Sequence, residues 1–151
     1  MLSSHQFHGD ETFGVPRDTL WRFLTDLRNV PSYVPNLQEV QFPAPDTVTG
    51  KLVTGFSFLK GTLDLAIQIT GRCEPSSAQM TITSRGVGSR AIITGAMELP
   101  EVGAGPTLLR WQVVAQLEGL LGAVSKGLIE GAARKLIADT FQAIRKHLAG
   151  V

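Results

Sequence analysis

With 151 residues, a net charge of +1 and 18% charged side chains, the chain can bury one sizeable core. It has none of the basic runs or basic-aromatic patches of a nucleic-acid binder. The single cysteine, Cys73, excludes an internal disulfide and a cysteine metal cluster. Met1 to His8 lack the cationic and then apolar pattern of a secretory leader, and no apolar run approaches the ~18 residues of a membrane span. The expectation is therefore a single-domain protein, cytoplasmic and at most peripheral to a membrane.

In chain order, His5 to Val15 read as a half-buried strand, with Phe7, Phe13 and Val15 on one parity and Gln6, His8, Asp10 and Thr12 on the other. Pro16 sits where helices begin, Asp18 complements the positive helix end, and Leu20, Phe23, Leu24 and Leu27 form a helical stripe, which predicts a helix over Pro16 to Leu27. Asn29, Pro31 and Pro35 limit the next segment to one short turn around Tyr33 and Val34. Strands are then predicted over Leu37 to Phe42, Val48 to Phe58, Thr62 to Thr70, Met80 to Thr83, Ala91 to Leu99 and Leu109 to Leu117. Among these, Leu63, Leu65, Ile67 and Ile69 alternate most cleanly with polar residues, as in a strand with one dry face. The Gly103, Ala104, Gly105, Pro106 stretch is a loop.

From Gly119 to the end, apolar residues recur three or four apart, from Leu120 through Leu128 and Leu136 to Leu148, which predicts one long amphipathic helix. Within it Gly119, Ala123, Gly127 and Gly131 fall at an i, i+4 spacing. Each mid-helix glycine costs roughly 1 kcal/mol against alanine. The stripe allows close approach of helix to sheet or an irregular helix start, space for a ligand, or contact with another helix. The order strand, short helices, six strands, long helix fits an α+β fold: a bent seven-stranded antiparallel sheet wrapped around the terminal helix, its first strand pairing with its last.

Reactive constellations are scarce. His5 and His8, three apart on a strand, point to opposite faces and cannot share an ion, while His147 suits a helix C-terminus. The glycines at 122–127 lack the lysine of a phosphate loop, and Gly86 and Gly88 lack a third partner. Asp64 and Glu98 read as exposed, and Asp26 as the cap of the turn after the first helix. Neither a catalytic set nor a metal or cofactor site emerges. What remains is an apolar interior that either packs solidly or lines a cavity between sheet and helix. Its candidate lining is Trp21, Leu24, Phe56, Phe58, Leu65, Ile67, Met80, Trp111 and Val113, with Val124, Gly127, Leu128 and Gly131 on the helix side.

The run Phe13-Gly14-Val15-Pro16-Arg17, then Leu20-Trp21-Arg22-Phe23-Leu24-Thr25-Asp26 and Val34-Pro35-Asn36, resembles the opening of the G-subunit family of carbon monoxide dehydrogenase. Leu109-Arg110-Trp111, then Gly119, Leu120 and Leu121, Gly131 to Leu136, and Phe141 resemble its close. Asn36 departs from the family's usual glycine, although asparagine tolerates the left-handed conformation. The resemblance implies a START-like, helix-grip (Bet v 1-like, SRPBCC) fold and a non-enzymatic protein holding a lipid-like or quinone-like molecule. It also implies, as partners, a molybdenum hydroxylase of the carbon monoxide dehydrogenase kind and the inner face of the membrane. Five cations against two acids between Lys126 and Lys146 suit either an anionic membrane or an ordinary solvated face. The alternatives are a small cyclase or dehydratase built on His8, Asp10 or Asp64, and a pure adaptor docking a partner enzyme.

Overall fold

The computed structural model describes residues 2–101, 103 and 105–149, so Ala104 of the expected loop and the last two residues of the expected helix lie outside it. The elements are β1 (Leu2–Phe13), α1 (Arg17–Thr25), a 3-10 turn (Leu27–Asn29), α2 (Val30–Tyr33), β2 (Leu37–Ala44), β3 (Thr47–Phe56) and β4 (Leu59–Cys73). They continue with β5 (Ser77–Gly86), β6 (Ser89–Glu98), β7 (Thr107–Gly119), a second 3-10 turn (Leu121–Ala123) and α3 (Lys126–Ala149). The strands form one antiparallel sheet in the order β1-β7-β6-β5-β4-β3-β2, so the first strand does pair with the last. β2, at one edge, carries Pro43, two register shifts and Glu39 at φ 52, devices that blunt an edge against further pairing.

The register gives the sheet two distinct ends. At the tip end lie the start of β1, the β3–β4 and β5–β6 hairpins and the link from β7 to α3. At the corner end lie α1, α2, the β4–β5 turn and the β6–β7 loop. Polar ties close the corner end: Arg17 Nε donates to the Leu99 carbonyl at 2.8 Å, Trp21 Nε1 to the Ser77 carbonyl at 3.2 Å, and Thr107 Oγ1 to the Val15 carbonyl at 2.6 Å. Asp26 caps the 3-10 turn by accepting from the Arg28 N–H at 3.1 Å, as expected. The Arg28 guanidinium beside it holds that carboxyl below the ordinary carboxylate range. Because the folded value is depressed, any stability the contact adds is present above about pH 4 and lost as pH falls further. Asn36 adopts φ 64, the left-handed conformation the turn requires.

The long helix is shorter at its start than the glycine spacing suggested. Gly119 ends β7 at φ 72, a 3-10 turn follows, Val124 is extended, and the Ser125 carbonyl accepts the helical bond from Ile129 N–H at 3.1 Å. Gly119 and Ala123 therefore do not belong to a helical stripe. Gly127 and Gly131 do lie in α3, each two positions from the buried Ile129. At 3.6 residues per turn that sets them about 160° away from it. A Cβ added at either meets nothing within 4 Å, whereas one at Gly119 would sit 2.3 Å from the Gly88 carbonyl oxygen.

These backbone positions set the expected effect of substitution. Gly119→Ala should cost at least about 2 kcal/mol in denaturant unfolding, while Gly131→Ala should gain up to about 1 kcal/mol; the reverse order would contradict this helix start. The β5–β6 hairpin turns through Val87 (φ 54) and Gly88 (φ 68), a conformation that favours Asn-Gly. Val87→Asn should therefore raise stability by about 1 kcal/mol in the same measurement, and a loss would show the valine to be unstrained.

Candidate functional site

One face of the sheet is largely apolar from β1 to β3. Register places His5, Ala115, Ile93, Ile82, Ile67 and Val48 in one row across the strands. The next row holds Phe7, Val113, Gly95, Met80 and Ile69, and the third Gly9, Trp111, Met97 and Ala78. α3 lies over these rows and contributes Ile129, Phe141, Ile144 and Leu148.

The core beneath α3 is divided. One cluster, at the corner end, joins Phe13, Leu20, Trp21, Phe23, Leu99 and Leu109 to Ile144 and Leu148. A second packs Leu27 and Val30 on Val48, Ile67, Ile69 and Ala78. The third, at the tip end, groups Ala91, Ala115 and Leu117 with Ile129. Between them, Leu65, Met80, Ile82, Ile93 and Val113 remain half-buried although they point to the covered face. Solid interiors leave apolar side chains in such positions fully enclosed. The middle of the inner wall therefore borders accessible space.

α3 is not fully covered either. Arg145 bonds Glu11 of β1, which fixes the flank that faces the first strand. Leu136 (43% exposed) lies on the other flank, and Leu128 (52% exposed) stands about 100° round the helix from Ile129. The expected lining residues thus fall into groups. Leu65, Met80, Trp111 and Val113 are half-buried on the inner wall beside the buried Ile67, and Val124 and Phe58 are half-buried where the tip-end cluster meets α3. Phe56 stacks on Phe58 at 5.5 Å. Trp21 and Leu24 belong to the packed corner end, and Gly127 and Gly131 are exposed on the flank away from Ile129. Ile82 and Ile93 belong to the inner wall and escaped the sequence reading, although they alternate in phase with Met80 and Ala91.

Few polar groups face this space. His5, not His8, points inward: it is buried, its Nε2 lies 3.2 Å from Ser3 Oγ, and its Nδ1 has no partner among the described residues. Trp111 spreads over Gly9, where an added Cβ would come within 2.9 Å of the ring, and stands 5.7 Å from Phe141. Its Nε1 is likewise buried without a partner among the described residues, an arrangement that costs about 1–3 kcal/mol. Burial, and secondarily the Asp26 charge, push the Tyr33 phenol above its ordinary value, so it stays protonated. By contrast His8, Asp10 and Asp64 are exposed on the outer face, where Asp10 meets Arg110 at 3.5 Å and Asp64 meets Lys51 at 2.7 Å. They cannot form the inward polar dyad that a cyclase or dehydratase would use.

The outer face carries two open depressions of about 600 and 400 Å³. The larger is lined by Glu39, Lys51, Asp64, Arg85 and Arg90, the smaller by Asp10, Glu98 and Arg110. Wet, charged and shallow, they suit water better than an apolar molecule. No helix among the described residues is long and apolar enough to cross a membrane.

Comparison with known proteins agrees with this architecture. A conserved protein from Geobacillus kaustophilus superposes with a TM-score of 0.89 at 20% identity, covering 97% of this chain and 96% of that one. A START superfamily protein from Mycobacterium smegmatis gives 0.71 at 13% identity over 97% and 98% of the two chains. The major latex-like protein 151 of Panax ginseng gives 0.63 at 13% identity over 95% and 97%. The fold is thus the START-like, helix-grip fold. A search of curated proteins returns no match. The family model for the G subunit of carbon monoxide dehydrogenase (CoxG) matches residues 9–149, nearly the whole of the described chain, and the protein belongs to that family.

Proposed function

We propose that this protein is a non-enzymatic carrier that holds an apolar molecule, lipid-like or quinone-like, between the sheet and α3. The observation that carries the reading is the half-buried centre of the inner wall, where Met80, Ile82, Ile93 and Val113 lie under a helix yet are not enclosed. Each CH₂ buried there contributes about 0.8 kcal/mol, so a chain of modest length needs no charged anchor. Leu65, Ile67 and Trp111 complete the wall, Val124 and Leu128 the helix side, and Phe56 and Phe58 the tip end.

Membership in the family supports a role beside a molybdenum-containing carbon monoxide dehydrogenase, as an accessory outside its catalytic core, in a cytoplasmic protein that meets the inner face of the membrane. The absence of a spanning helix among the described residues is compatible with such a peripheral contact.

Native mass spectrometry of the purified protein beside an organic extract of the same sample tests the reading. A bound mass should vanish on denaturation and reappear in the extract as an apolar compound. Val113→Phe should remove it at a stability cost below about 1 kcal/mol, because the added ring fills open space rather than a packed core. A clean apo mass, together with a cost of about 1–3 kcal/mol for Val113→Phe, would mean a solid interior and favour an adaptor instead.

A further inference from the structure

The tip end differs from the corner end in what it exposes. Leu120 is 66% exposed and Val87 39% exposed, on two separate loops that the register places at the same end of the sheet. They are contiguous with the β3–β4 hairpin. The Val87 side chain lies 3.1 Å from the Cβ position of Gly61, and the Leu120 side chain lies 3.0 Å from that of Gly88. Val87 is also held at φ 54, where a β-branched residue is unfavourable and asparagine would be preferred. An apolar side chain thus occupies a strained and solvated position.

Cations stand just behind these apolar points. Lys60, Arg85 and Arg90 form no ion pair within 4 Å among the described residues; Arg85 and Arg90 face each other across β5 and β6, with Asp64 across from Arg85 on β4 and Glu118 across from Arg90 on β7. Lys126 has only a 3.8 Å contact with Glu130. On α3, Lys135 meets Asp139 at 2.8 Å and Arg145 meets Glu11, while Arg134 and Lys146 form no ion pair among the described residues but have no exposed apolar loop beside them.

We propose that the tip end is the membrane-docking surface, with Val87 and Leu120 entering the headgroup layer of an anionic bilayer. This rests on the membrane contact proposed above and assigns it to the loop tips instead of the basic face of α3. Separate apolar loops with Arg85 two residues from Val87, Lys60 two from Phe58 and Lys126 six from Leu120 match the layering of a bilayer interface, where aliphatic groups reach the acyl boundary and Lys and Arg stay among phosphates. A flat protein partner would call instead for a continuous surface with few lysines at its centre.

The test is co-flotation of the full chain with vesicles of phosphatidylglycerol and phosphatidylethanolamine, or of phosphatidylcholine alone. The protein should float with the anionic vesicles and less so as salt rises. Leu120→Ser combined with Val87→Asn should lower binding by at least about tenfold. Lys60→Gln with Lys126→Gln should flatten the salt dependence, and Arg134→Gln with Lys146→Gln on α3 should leave binding unchanged. Circular dichroism verifies that each variant is folded. Flotation of the wild type with tip variants that float equally well would overturn the docking surface while leaving the membrane contact intact. A wild type that floats with neither vesicle would overturn both.

Discussion

A seven-stranded sheet with one continuous apolar face must cover that face, and α3 is the element that does so. Everything else in the molecule depends on how incomplete that cover is. The sheet offers its rows from β1 to β3, whereas a single helix contributes Ile129, Ile144 and Leu148 as fully buried contacts. α1 and α2 supplement it at the corner end, where Leu20, Trp21, Phe23, Leu27 and Val30 complete two of the clusters. No comparable helix among the described residues closes the other end. The inner wall is consequently sealed at its margins and accessible at its centre.

The two ends divide the labour. Side-chain bonds to backbone carbonyls, from Arg17, Trp21, Asn29 and Thr107, lock the corner end, and three of the four span long sequence separations. At the tip end the link from β7 to α3 is tied to the β5–β6 hairpin by Leu120 N–H to the Gly88 carbonyl at 3.0 Å and Leu121 N–H to Ser89 Oγ at 3.0 Å. A rigid base with a lightly tied rim is the arrangement in which local opening can occur without loss of the core. The polar groups of the interior, His5 and the Trp111 indole, are few enough that apolar burial dominates recognition.

Much of this was legible in the residues. Period-two alternation at Leu63 to Ile69, the proline punctuation after α1 and the three-four spacing toward Leu148 set the element order, and Asp26 and Asn36 took the roles their side chains favour. An irregular helix start was one reading of the glycines and is what the chain adopts, but where the helix begins was not legible, because glycines at i, i+4 imitate a helical stripe. Only the backbone shows that Gly119 is left-handed at a strand end and that Ser125 precedes the first turn. Strand lengths were underestimated for a related reason: β4 and β5 extend by backbone ladders through polar residues that carry no hydrophobic period. The choice between a filled and an open interior was out of reach, since parity tells which side chains face inward but not how far the helix stands from them. The inward histidine was legible in the parity of β1, since His5 is in phase with Phe7 and Phe13 and His8 with Gln6 and Asp10.

The open apolar centre beneath α3 is the central claim, and diffraction from crystals pressurised with xenon tests it without assuming any particular ligand. Xenon enters dry apolar cavities and leaves packed cores empty. Ordered xenon between α3 and the wall of Met80, Ile93 and Val113 is the expected result. Well-ordered crystals with no xenon there, and those side chains packed directly against the helix, would contradict it.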